Sequence, residues 1–246
     1  VMAIGLLLVL AMGIARVFTW YVFRLPMAET GTATRAFWLG FRFDARVAAV
    51  VALLVFLATS FRPLNPFKNP AAVKPWNRIL TLVVLVLTLF YVIDFLHFRY
   101  LNQRLNASAL SFLEDAKISA GMAWQTYPVI RILIAVIVMT WLLSTLLKLL
   151  FRWIDKSAYL PSGWTTVFAS VVGFLMLALA IFGRAGQYPL RWSDAFNLGT
   201  DFHANLALNP IQSFASSFKF RGSSYDLQKV KSVYPHMAAW LGVESP

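Results

Sequence analysis

The side chains in this sequence that could do chemistry are mostly arginines, and their spacing suggests anion binding rather than catalysis. In residues 40–48, GFRFDARVA, Arg42 and Arg46 stand four apart. If that segment is helical, they share one face. Two guanidinium groups on one face can hold a phosphate through charge-assisted hydrogen bonds. Asp44 lies between them and could orient one. Arg184 and Arg191 follow a later apolar run. Together Arg42, Arg46, Arg184 and Arg191 form a candidate site for an anionic lipid headgroup, and ordinary interfacial anchoring is the competing reading. Asp94 and His97, three apart, share a face near the end of another apolar run. They either support such a site, by shaping it or holding an arginine, or simply meet interface water, since ionisable groups in spans face protein or water.

Catalytic signatures are missing. The sequence has no Gly-rich phosphate loop, no nucleophile elbow, no HExxH and no dinucleotide fingerprint. His97, His203 and His236 are too far apart to offer metal-ligand spacing. With no cysteine, disulfides, thiolate ligands and a Cys nucleophile are excluded. No catalytic residue and no metal ligand can be assigned.

The elements that must position these residues follow from composition. Of 246 residues, 59% are hydrophobic and 13% charged, with a mean hydropathy of +0.67. A soluble domain is about 45–50% apolar and about 25% charged. A single water-soluble core cannot hide this excess, so the class is an all-α polytopic membrane protein. The net charge of +12 would suggest nucleic acid in a soluble protein. Here the basic residues flank apolar runs, which points to membrane lipids and topology and not to nucleic acid.

A hydrocarbon core of about 30 Å needs ~20 helical residues. Five spans are expected, at about 1–23, 47–61, 79–98, 132–147 and 160–183. The second and fourth are short, and their flanking Arg and Lys extend them by snorkelling. Residues 62–78 carry four cations and no acid, and residues 148–156 are also basic. Both loops are expected on the cytoplasmic side, which puts the N-terminus in and the C-terminus out. Segments 99–127 and 193–220 mix leucine, phenylalanine, asparagine and charge at roughly helical spacing, as amphipathic helices at the external interface do. Pro210 interrupts the second or starts a new helix. Val1 opens inside an apolar run, so the chain reads as part of a longer protein.

Three strings carry a family likeness. They are GFRFDARVA, NASALSFLEDAKISAGMAWQTYP (residues 106–128) and GQYPLRWSDAFN with ANLALNPIQSF (residues 186–197 and 204–214). Together they resemble the membrane half of lipoteichoic acid synthase-like proteins, the phosphoglycerol transferases of the alkaline phosphatase/sulfatase superfamily, in their Gram-negative form. The resemblance implies five spans in the bacterial inner membrane. It implies that residues 184–246 connect to an extracytoplasmic catalytic domain beyond Pro246, which would be the chain's partner. That domain would use a Thr nucleophile and a divalent metal, commonly manganese, to move phosphoglycerol from phosphatidylglycerol to an acceptor. The chain itself would be an anchor without cofactor or activity of its own. A non-catalytic scaffold, or the anchor of a related hydrolase or phosphoethanolamine transferase, remains an alternative.

Overall fold

The computed structural model describes residues 1–24, 30–66, 68–113, 115–157, 163–218 and 226–243. Among these residues there is no strand. The all-α expectation is borne out, with five helices long and apolar enough to cross a membrane. They are α1 (Met2–Phe23), α2 (Thr30–Ser60), α3 (Val73–Leu101), α5 (Val129–Ser157) and α6 (Trp164–Phe182); the short α4 (Ala116–Thr126) lies between α3 and α5. At 1.5 Å per residue, even the 19 residues of α6 reach about 28 Å, close to the hydrocarbon thickness.

The largest departure from the expected spans is α2, which starts at Thr30 rather than near residue 47. Its first half carries Arg35, Arg42, Asp44 and Arg46, which lower the local hydropathy. Yet Ala33, Ala36, Leu39, Phe43 and Ala48 are buried and recur at helical spacing. The stripe holds the helix together while the arginines point away from it. α3 and α5 likewise continue past the apolar runs through charged turns at their ends.

α2 is the hub. It packs against α1, α6 and a later short helix, while α3 pairs with α5. Small residues allow the close approach. Ala48 is buried against α1, and Ala49 and Ala52 against α6, and a Cβ on Gly5 would sit 3.5 Å from that of Ala52. Without a hydrophobic drive between helices in lipid, such tight packing is what holds spans together.

After α6 the chain folds back as a cap. It runs through a 3-10 turn (Trp192–Leu198), α7 (Asp201–Ala207) and α8 (Pro210–Ser217). Pro210 opens α8, with Asn209 as its N-cap accepting from the Ile211 amide at 3.0 Å. Residues 203–210 are all buried, so α7 sits in the bundle end rather than lying flat on it. The segment 99–127 is also more irregular than one amphipathic helix. Asn102 ends α3 in the left-handed region at φ 55°, the chain then enters the cap, and only α4 is regular, exposing Ile118, Met122 and Trp124. A last helix, α9 (Leu227–Leu241), contains Pro235.

Candidate functional site

The cap is held by an ion-pair core at the end of the bundle. Arg16 lies on α1, seven residues before its last residue, which is about 10 Å along the axis. It is 3% exposed. Its guanidinium forks onto Asp44 of α2, at 2.6 Å from Nη2 and 3.3 Å from Nε. It also donates to the carbonyls of Leu206, Ala207 and Leu208 at the end of α7. These are orphan carbonyls of a helix C-terminus, where the backbone dipole favours a cation. Gly40 makes the approach possible, because a Cβ there would come within 2.5 Å of the Arg16 guanidinium carbon.

A second pair completes this core. Asp94 of α3 takes the Arg104 guanidinium and the Leu105 amide. Arg104 also donates to the carbonyls of Asn205 and Leu206, while its own amide donates to the Asn205 side chain at 3.1 Å. Asn209 bridges the two halves, with its amide nitrogen 2.8 Å from Asp44 and 2.9 Å from the Tyr91 hydroxyl. Irregular backbone at this depth is tolerated because protein groups satisfy it.

Around this core runs an arginine rim at the C-terminus of α6. Arg42 donates from Nε to the Gly183 carbonyl at 2.7 Å. Arg46 donates to the carbonyls of Ile181 and Phe182 at 2.7 and 2.9 Å. Gly183 has φ 73°, and a Cβ there would lie 3.2 Å from Arg46, so this helix end favours glycine twice over. Arg184 approaches Asp194 at 3.9 Å, with half of its side chain exposed. Arg191 is exposed and lies over the Tyr188 ring at 5.4 Å. The remaining nitrogens of Arg42 and the Nη1 of Arg46 have no hydrogen-bond partner among the described residues.

The sequence-selected residues therefore divide in two. Arg42, Arg46 and Arg184 gather at the end of α6, and Arg191 starts the adjoining 3-10 turn. Asp44 faces inward and orients Arg16, not a rim arginine. Asp94 holds Arg104. His97 contacts neither acid, placing Nδ1 2.9 Å from the Gln103 carbonyl. Sequence reasoning missed Arg16, Arg104, Tyr91, Asn205 and Asn209 as one cluster. The signal for Arg16 was present, since a lone arginine inside an apolar run demands a partner. Tyr91 is hidden among the apolar residues of α3, and Arg104, Asn205 and Asn209 come from short turns and the short α7, which hydropathy cannot place. Among the described residues no group of three or more His, Asp or Glu side chains converges.

Fold and site together define a polytopic α-helical membrane protein with a folded polar cap on one end. No family model, curated protein or solved structure matches the chain.

Proposed function

We propose that the chain is the membrane anchor and lipid-presenting domain of a phosphoglycerol transferase, one that moves phosphoglycerol from phosphatidylglycerol to an extracytoplasmic acceptor. The observation that carries this reading is the rim. Four arginines stand beside one helix end, opposed among the described residues only by Asp194, with guanidinium nitrogens left for an anion. The strings that carry the family likeness support it, because they supply Arg42, Arg46 and Arg191 of the rim, Asp44, Asn205 and Asn209 of the core, and much of the cap.

The physical logic is one of height. A phospholipid leaves the bilayer reluctantly, at about 0.8 kcal/mol per buried CH₂. An enzyme using it must meet the headgroup at the surface, and a rigid cap fixes that level. In this reading the capped end faces the periplasm, and the basic, acid-free loop 62–78 faces the cytoplasm. Residues 184–246 lead to a catalytic domain outside this sequence, where the threonine and manganese of that family would act. The chain has no cysteine, so orientation is testable with single introduced thiols. Ser193→Cys should react with an impermeant maleimide in intact spheroplasts and Asn69→Cys should not; the reverse pattern refutes the orientation.

The lipid site is tested by counting phosphatidylglycerol bound to the purified protein by native mass spectrometry. An Arg184→Ala/Arg191→Ala variant should bind at least roughly tenfold more weakly, since two charge-assisted contacts are lost. Unchanged binding in this variant and in Arg42→Ala/Arg46→Ala would sink the reading.

A further inference from the structure

A cavity of about 470 Å³ opens at the capped end, between the end of α3, the 3-10 turn Trp192–Leu198 and α8. The rim does not use it. Its walls include Asn102, Gln103, Asp201 and Ser216, with Trp192 and Phe196 beside them. The two rings are about half exposed and meet edge to face, their centroids 5.2 Å apart. Arg104 lines it too, but its guanidinium is engaged with Asp94 and two carbonyls. The side chains of Asn102, Gln103, Asp201 and Ser216 make no hydrogen bond or ion pair among the described residues.

The lining selects a ligand class. An anion is disfavoured, because Arg104 is neutralised by Asp94 and, among the described residues, the Asp201 carboxylate makes no ion pair. An apolar ligand would strand amides, a hydroxyl and a carboxylate without partners. Hydroxyl groups both donate and accept, which suits this mixture of amide, hydroxyl and carboxylate. The Trp192 ring offers a flat apolar surface with a polar edge. The volume lies within the range of small-molecule sites, about 300–1,000 Å³.

We propose that this cavity binds an uncharged saccharide of one or two rings. Its hydroxyls meet Asn102, Gln103, Asp201 and Ser216, and an apolar ring face packs on Trp192. The inference rests on the cavity alone and goes beyond the transferase reading. If that reading also holds, the site lies beside the rim, where an acceptor would stand.

The test is saturation-transfer NMR on the full protein in phosphatidylcholine nanodiscs, free of sugar-headed detergent. The probes are maltose, cellobiose and N-acetylglucosamine, each at millimolar concentration, with choline and inorganic phosphate as competitors. At least one saccharide should show saturable transfer. Trp192→Ala and Asn102→Gly should each weaken it roughly fivefold or more, the factor carried by one lost contact. Asn102→Gly guards against misfolding, because glycine accepts the backbone φ of 55° and an unchanged melting temperature shows that the cap is intact. No transfer to any of the three, or transfer untouched by Asn102→Gly, overturns the proposal. Displacement by choline or phosphate below the saccharide concentration also overturns it, and reassigns the cavity to a cation or an anion. Lipid counting on the rim variants is a separate readout, so either idea can fail alone.

Discussion

Two helix C-termini in this protein are each gripped by a pair of arginines, and the pairs differ in what balances them. The end of α7 is held by Arg16 and Arg104, both buried and each matched to a carboxylate, Asp44 or Asp94. The end of α6 is held by Arg42 and Arg46, both partly exposed, joined by Arg184 and opposed, among the described residues, only by Asp194. The backbone chemistry is the same, because the last carbonyls of a helix attract cations. Charge balance separates a lock from a candidate ligand site. A neutral buried cluster has no capacity left for an anion, whereas an unbalanced rim in contact with solvent does.

The strongest way to break the comparison is to unbalance the lock. Asp44→Ala leaves Arg16 buried without its carboxylate, and losing one partner of a buried pair costs about 3–5 kcal/mol. The variant should aggregate or melt far below wild type in a detergent thermal scan. Adding Arg16→Met to Asp44→Ala should recover much of the loss, because an uncharged, well-packed pair avoids the stranded charge. If the double variant is as damaged as the single, the cost lies in the α7 carbonyls and not in charge balance.

Gly40→Ala attacks the same lock by crowding. The added Cβ meets the Arg16 guanidinium at 2.5 Å, with Asp44 and the α7 carbonyls fixing the arginine from the other side. Overpacking of this kind costs about 1–3 kcal/mol. A lowered melting temperature is expected, together with faster proteolysis of the cap as it loosens.

The two regions were not equally legible in the sequence. The number of spans follows from hydropathy alone, because length and apolar content fix it, whereas the charged first half of α2 does not. The rim arginines stand beside apolar runs, so they were visible as candidates. The lock was hidden for a geometric reason. Arg42, Asp44 and Arg46 look like one charged cluster, yet a helix turns about 100° per residue. That rotation aims Asp44 into the bundle and the two arginines away from it. Its other members Arg104, Asn205 and Asn209 come from short turns and the short α7, and only the folded cap brings Arg104 to Asp94 of α3 and Asn209 to Asp44 of α2. The polar wall of the cavity was hidden likewise, since Asn102 and Asp201 lie about a hundred positions apart.

Stripping the rim should cost much less than breaking the lock. Arg42→Ala/Arg46→Ala removes three hydrogen bonds to the end of α6. Water can replace part of what is lost at a half-exposed site, so about 1–2 kcal/mol is expected, from a net worth near 1 kcal/mol per bond. A drop in melting temperature as large as that of Asp44→Ala would erase the distinction between the regions.

Arg184→Ala is the smallest perturbation and the sharpest. Its only described ion pair is 3.9 Å long with half of the arginine side chain in solvent. Exposed pairs of this kind contribute about 0–1 kcal/mol, so the melting temperature should hardly move. If the rim holds an anion, however, the same change removes one of its nearest charges. Binding to phosphatidylglycerol vesicles should weaken, and its dependence on salt should flatten, since fewer screened contacts remain. Stability and binding would then separate in one variant. A residue that served only as a structural cap could not produce that separation, because its loss would lower both together.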